Sequence, residues 1–383
     1  MNTDKLKAEI VNLIAAKREG DYWDFKQKHH TNNSDLLHDI ICMANNRADR
    51  EGYIIFGVTD ADFEIVGVKD DENRKNQQQM IDFLKDKKFA GGIRPTIELK
   101  TLYIGSHEVD VLIIKNTTDT PYYMLETFKG IMSNYIYTRI GDTNTPKDRS
   151  ADINHIEYLW KKRFLLNRPP LQQIEKKLIY KEEWKEEDRT YYNIYNPAFK
   201  ICIVDGDEEY ERSKPEFYAY SMYNSSVIYR DLQIKYYETK LYSRQLVVLD
   251  SGRFITPTPE WGYLQFGEYR SSTDYAFKYY IKDSLDYKIL EFLLKEDSEE
   301  AYYAYRHLRE VVLEFDNSLE KDNFISYVEV NQIILEDLIE ENKDKYSYLD
   351  IKEDREKVIV IKRLKIGIAL NKMLNDFRNL NYK

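Results

Sequence analysis

Apolar positions along residues 4–18 fall at Leu6, Ile10, Leu13 and Ile14, one face of a helix with Thr3 as its N-cap and Gly20 beyond its end. Asp24 to Lys28 reads as a short strand. Ser34 is placed to cap a second helix over Asp35 to Asn46, which turns Leu37, Ile40, Ile41 and Ala44 inward. The unbroken apolar run Tyr53 to Val58 predicts a buried strand, and Glu64 to Val68 its hairpin partner across the turn-forming TDADF segment. A polar helix follows over Asn73 to Lys87, with Met80, Ile81 and Leu84 facing the core. Pro95 to Tyr103 and Val109 to Ile114 predict a second hairpin about Gly105. Tyr135 to Arg139 reads as one more strand and Ile153 to Phe164 as a closing helix.

Asn167-Arg-Pro-Pro170 then interrupts the pattern, because consecutive prolines cannot continue a helix. Short aromatic–polar alternations, such as Phe217 to Met222 and Leu246 to Leu249, predict a mostly antiparallel β region over residues 171–282. Helical spacing returns from residue 283, at Leu285 to Leu294, Glu299 to Phe315, Val330 to Glu341 and Ile366 to Leu380. The expected class is α+β: an α/β domain with a mixed sheet over residues 1–166, a β-rich region over 171–282 and a helical region over 283–383. The pattern leaves open whether the last two are one unit.

Charge sharpens this division. Residues 1–165 hold 24 Lys/Arg and 26 Asp/Glu, and the remainder 33 and 41, so most of the net charge of −10 sits in the second part. Of 33 tyrosines only 8 precede residue 166. A net negative chain does not coat nucleic acid through bulk charge, but a local basic groove in the first part is compatible with near-neutrality there. The two cysteines, Cys42 and Cys202, form no CxxC pair, which excludes a zinc-ligand cluster and a disulfide scaffold and suits a reducing, cytoplasmic compartment. No run of about 18 apolar residues predicts a membrane span. Phosphate-loop, nucleophile-elbow and HExxH motifs are absent, so no nucleotide cofactor is expected.

The candidate chemistry lies in Glu19-Gly-Asp-Tyr-Trp-Asp24-Phe-Lys26, where Gly20 lets a turn precede a strand. Glu19 and Asp24 would face apart on a continuous strand but can converge across such a turn. Asp60 and Asp62 leave the end of the strand at 53–58. If the two strands are neighbours, Asp24 and Asp60 meet over one sheet edge. Converging carboxylates repel one another unless a cation lies between them. Lys26, His29, His30, Arg47 and Arg50 stand close in sequence as phosphate contacts. The competing reading is plain: acidic residues at turns are usually solvated, the His29–His30 pair suits an exposed loop, and His38 suits a helix surface.

The ordered series WDFKQ, LLHDIICMANNR and GYIIFGVTDADFEIVGV, followed by Ile93-Arg-Pro95, Thr120-Pro-Tyr122 and Tyr137-Thr-Arg-Ile-Gly141, resembles the AlbA-like domain of Schlafen proteins and many bacterial proteins. It covers about residues 1–165. Nuclease members of that family use three acidic residues in these motifs to bind a divalent metal and cleave structured RNA, chiefly tRNA; other bacterial relatives are described as DNA-binding or regulatory. The resemblance implies Glu19, Asp24 and Asp60 as catalytic and metal-binding residues, with Asp62 a rival for the third, and Mg²⁺ or Mn²⁺ as the metal. Lys26, Lys28, His29, Arg47, Arg50 and Arg139 are the expected nucleic-acid contacts. Asp24 departs from the family's usual Glu, and Asp49-Arg-Glu-Gly52 replaces its double glycine.

Three functions follow as expectations. One is a metal-dependent endoribonuclease on tRNA-like RNA, acting in defence or stress. Another is a DNA- or RNA-binding regulator without catalysis. The third is a protein-interaction component, with residues 171–383 as a self-association or partner-binding module and no membrane partner.

Overall fold

A computed structural model describes residues 3–206, 215–266, 275–295, 298–342 and 344–381. Two compact units result, Met1–Pro169 and Pro170–Lys383. The mixed architecture, with a mixed sheet first, an antiparallel sheet next and helices last, is the α+β class expected from the sequence.

In the first unit, α1 (Thr3–Ala15) is followed by β1 (Trp23–Lys26), α2 (Asn33–Ala44), β2 (Gly52–Phe56), α3 (Gln77–Lys85), β3 (Ile97–Ile104) and β4 (His107–Ile114). The four strands form one sheet in the order β1-β2-β4-β3. β1 runs parallel to β2, pairing Asp24 with Ile54 and Lys26 with Phe56. β4 is antiparallel to both of its neighbours. Side chains alternate across the sheet. Trp23, Phe25, Tyr53, Ile55, Val109 and Val111 pack beneath Leu6, Ile10, Leu13 and Ile14 of α1. Ile54, Phe56, Leu112 and Ile114 pack against α2 and α3 on the other face. The small hairpin β5 (Arg139–Ile140) and β6 (Thr143–Asn144) and the helix α4 (Ile153–Arg163) complete the unit.

Several local expectations change. Thr3 lies inside α1 rather than capping it. Asn32, not Ser34, caps α2, its side chain accepting from the Ser34 N–H. The third helix is shorter than predicted, because Asn76 and Gln79 form a capping box that fixes its start. Glu64 to Val68 does not pair with β2 as a strand; a single bridge joins Val58 to Ile65, and β4 takes the place beside β2. The stretch 135–138 is not a strand either. Its backbone groups are satisfied by Ser150, Thr145 and Ala151, the Ile136 N–H donating to Ser150 Oγ and the Thr138 N–H to Thr145 Oγ1.

The second unit opens with α5 (Pro170–Lys177). Six strands then form an antiparallel sheet: β7 (Trp184–Glu187), β8 (Thr190–Asn193), β9 (Phe199–Asp205), β10 (Ile228–Tyr236), β11 (Thr239–Leu249) and β12 (Phe254–Pro257). β13 (Glu260–Tyr263), β14 (Ala276–Ile281) and β15 (Val312–Phe315) make a smaller sheet, in which β14 and β15 are parallel. Parts of the predicted β region, at 207–214 and 267–274, lie outside the described residues. Among the described residues, five helices follow or flank the small sheet: α6 (Leu285–Leu293), α7 (Glu299–Val311), α8 (Ser318–Val330), α9 (Gln332–Glu341) and the 28-residue α10 (Asp354–Asn381). The sequence pattern ran helix through to Phe315; its last four residues instead form β15, a short apolar run whose type periodicity alone does not decide. No helix among the described residues is long and apolar enough to cross a membrane.

Candidate nucleic-acid site

The turn before β1 sets the site. The Gly20 N–H donates to the Trp23 carbonyl, and the Trp23 indole donates back to the Arg18 carbonyl at 2.8 Å. The indole lies flat across Gly20, so that any Cβ there would fall 2.3 Å from ring carbons. Only glycine fits, and the close turn folds Glu19 back onto the strand it precedes. Glu19 Oε1 accepts the Phe25 N–H at 3.0 Å. The convergence expected of Glu19 and Asp24 is therefore made by a tight turn.

Arg139 of the β5–β6 hairpin enters between them. Its Nη2 lies 3.0 Å from Glu19 Oε2 and 3.1 Å from Asp24 Oδ1. Nε donates to the Gly20 carbonyl at 2.8 Å and Nη1 to Asn144 Oδ1 at 3.1 Å. Asn144 in turn donates to Asp39 Oδ1 of α2 at 2.8 Å. Asp39 Oδ2 holds His30 at 2.8 Å and lies 4.0 Å from Lys26, whose ammonium reaches Asp24 Oδ2 at 2.5 Å. Arg139, Asn144, Asp39, Lys26 and Asp24 thus close a ring of polar contacts. One atom in it is poorly served. Asp24 Oδ2 is buried and, although Lys26 is near, no donor is aligned with it as a hydrogen bond.

These charges tune one another. Burial, then the Asp24 carboxylate, push the Glu19 carboxyl above its ordinary range, with Arg139 opposing. Burial disfavours the Lys26 ammonium, but Asp24 and Asp39 outweigh it and raise its pKa, so Lys26 stays charged. Burial also raises the Asp60 carboxyl, and Lys26 and Asp24 lie near enough to act on it with opposite signs.

Glu19, Asp24 and Asp60 line one cavity of about 520 Å³, together with Lys17, Arg18 and Lys26. Asp60 lines this cavity, whereas Asp62 is exposed and does not. Among the described residues, no three His, Cys, Asp or Glu side chains stand close enough to share one ion as they are placed. Glu19 and Asp24 form the close pair, and Asp60 stands apart.

The predicted nucleic-acid contacts divide. Lys26 borders the cavity, and Lys28 is exposed. Arg47 is exposed over the Tyr158 ring, 4.8 Å from its centroid, and Arg50 lies over Tyr22 at 4.0 Å while pairing with Glu9. Three expectations are corrected. His29 is 2% exposed, stacked on Phe56 at 4.0 Å and bonded to Asp110 at 3.1 Å, so it is core rather than loop surface. Arg139 is likewise 2% exposed, with its guanidinium engaged by protein oxygens, and holds carboxylates rather than phosphate. His38, read as a helix-surface residue, is buried with Nε2 on the Thr145 carbonyl at 2.8 Å.

Sequence reasoning missed Asp39, Asn144, Lys17 and Arg18. Asp39 left a faint signal as a charged residue amid the apolar positions of α2. Asn144 left none, since its role comes from a hairpin about 105 positions away from Asp39. Lys17 and Arg18 immediately precede Glu19, and neither has an ion-pair partner among the described residues.

A second polar cluster lies behind the sheet edge. Asp110 on β4 accepts from His29 at 3.1 Å, from Arg74 Nε at 2.8 Å and from Thr101 at 2.6 Å. Burial works against its charged form, but these three donors override it and hold the carboxyl well below the usual range. A depressed pKa contributes stability above the unfolded value and loses it as pH falls through the folded one. We therefore expect the stability gap between the wild type and Asp110→Asn to be widest near neutrality and to shrink below about pH 4. Urea denaturation from pH 7 to pH 3, followed by a probe within residues 1–169, measures it; a gap independent of pH refutes the assignment.

The first unit is thus an α+β domain presenting an acidic pair, a third carboxylate and a basic rim in one cavity. Residues 19–148 match the family model described as Schlafen, AlbA_2, which bears out the resemblance seen in the sequence. Over those residues the unit is similar to that family's domain, which supports a nucleic-acid-related function. Among solved structures, the N-terminal domain of a RecG-related protein from Nitrosomonas europaea, determined by solution NMR, is similar at 20% identity. That likeness covers 36% of this chain and 90% of the other, with a TM-score of 0.27. No curated protein matches the chain.

Proposed function

We propose that the first unit is a divalent-metal-dependent endoribonuclease acting on tRNA or similarly structured RNA. The observation that carries this reading is the meeting of Glu19, Asp24 and Asp60 with Lys17, Arg18 and Lys26 around one cavity. The donor set suits a hard cation: all three are carboxylates, and Asp24 Oδ2 is a buried acceptor lacking a hydrogen bond. Mg²⁺ commonly takes one or two protein carboxylates and keeps several waters, which the Glu19–Asp24 pair fits better than a three-ligand cage would. When bound, such an ion polarises a phosphoryl oxygen and offsets charge developing on the leaving oxygen.

The chain's own residues supply the rest. Lys17 and Arg18 are exposed cations at the mouth, available to a phosphodiester backbone. Lys26, held protonated by Asp24 and Asp39, sets a fixed positive charge beside the reacting phosphate. Arg139 orients Glu19 and Asp24 without touching substrate. One observation favours a second reading: Arg139 and Lys26 already balance both carboxylates, as suits a nucleic-acid binder that does not cut.

One assay separates the two. Purified chain is incubated with total tRNA in Mn²⁺, in Mg²⁺ and in EDTA, beside a Glu19→Ala, Asp24→Ala variant. Discrete cleavage that needs metal and is reduced at least about 100-fold in the variant is expected for the nuclease. Salt-sensitive RNA binding with no cleavage under any divalent metal leaves the binder.

A further inference from the structure

The second unit holds a cavity that this reaction leaves unused. It lies against α7, β15 and α10 and has a volume of about 630 Å³. Five cations border it, Arg306, Arg309, Lys345, Lys372 and Arg378, within a half of the chain where acids outnumber bases 41 to 33. Several are partly satisfied. Arg378 is held by Glu320 at 2.7 Å, Lys372 lies 3.2 Å from Glu341, and Lys345 is 3.6 Å from Glu310. Arg306 is exposed and has no ion-pair partner among the described residues.

Glu314 of β15 also lines this cavity, and its side chain is more than nine-tenths buried. Oε1 accepts the Tyr305 hydroxyl at 2.8 Å. Oε2 is buried without a hydrogen bond, since Arg309 Nε stands 3.0 Å away but is not aligned to donate. An acceptor paired by charge but given no aligned hydrogen bond has room for a donor. A bare anion would suit the cationic rim and be repelled by Glu314; a bare cation would suit Glu314 and be repelled by the rim. A ligand with both an anionic group and an N–H donor satisfies each, and Val312, Ile368 and Leu374 add apolar wall between them.

We infer that this cavity binds a small phosphorylated ligand of nucleotide size, its phosphate on Arg306 and Lys372 and an N–H donor on Glu314. The class is a nucleoside phosphate, because phosphate and a planar N–H-bearing ring occur together in it. The second unit then acts as a small-molecule sensor or binding module, independent of how the first unit treats RNA.

Calorimetry on the full chain, in EDTA to silence metal-bridged phosphate binding elsewhere, tests this with ADP and inorganic pyrophosphate as probes. Expected is binding of both, ADP the tighter. Arg306→Ala with Lys372→Ala, both at exposed positions, should weaken both at least about tenfold. Glu314→Gln should keep pyrophosphate and remove the ADP advantage. Glu19→Ala with Asp24→Ala should change neither. The inference is overturned if neither probe binds at millimolar concentration, if the Arg306 and Lys372 changes leave binding intact, or if ADP binds no tighter than pyrophosphate.

Discussion

Arg139→Ala is expected to destabilise the first unit by about 3–5 kcal/mol, the cost of leaving buried charge without its partner. The arginine is 2% exposed and serves two carboxylates and two backbone carbonyls at once, those of Gly20 and Trp23. Removing it leaves Glu19 and Asp24 facing each other with only Lys26 to offset them. The test of cause is rescue. Adding Asp24→Asn removes the stranded charge and should recover more than about 1 kcal/mol, an interaction that a double-mutant cycle isolates. Because the chain has two units, a single melting transition is a poor readout. Hydrogen exchange read separately over peptides of residues 1–169 and 170–383 gives the answer. A loss below about 1 kcal/mol, or one shared equally by both units, would falsify the role assigned to Arg139.

Asn45→Ala should cost nearly as much, about 3–5 kcal/mol, though no charge is involved. The Asn45 side chain is fully buried at the end of α2. Its amide nitrogen donates to the carbonyls of Tyr122 at 2.8 Å and Tyr137 at 2.9 Å, and its oxygen accepts the Tyr122 N–H at 2.8 Å. Alanine leaves three buried backbone groups unpaired, and each such loss costs roughly 1–3 kcal/mol. Among the described residues, the neighbouring Asn46 side chain bonds to Met43 and Ala48, within its own turn. Asn46→Ala should cost about 1 kcal/mol, as a lost cap does. Equal costs for the two asparagines, measured by the same exchange experiment, would sink the distinction.

How far the sequence was readable depended on whether a feature is local. That Asp24 and Asp60 border one cavity was legible because Asp24 lies on one strand and Asp60 just beyond the next, and the register pairing Trp23 with Tyr53 makes those strands adjacent. The turn at Gly20 was legible as a turn, although the reason for glycine, the Trp23 ring lying on it, was not. The wrong partner for β2 has a physical cause. Residues 64–68 are apolar enough to pair, but Val109 to Ile114 buries side chains on both faces and outcompetes them for the central position. His29 was misjudged because Asp110, its partner, lies 81 residues away, and a histidine in a polar loop carries no mark of being stacked on Phe56. The stretch around Tyr137 was apolar without being a strand, since its N–H groups donate to side chains and its carbonyls accept from isolated loop residues rather than from a strand ladder.

The ring that closes through Arg139 also bears on the order in which the chain can become competent. Glu19 and Asp24 are made early, but the side chain that fixes them is synthesised about 115–120 residues later, and Asn144 later still. Contacts of that separation form last in folding, after the loop entropy between them has been met. A growing chain can therefore close the local turn that brings Glu19 toward Asp24 well before Arg139 and Asn144 of the hairpin are present to hold the pair. The turn is thus the local, early part of the site, and the charge that fixes it the distant, late part.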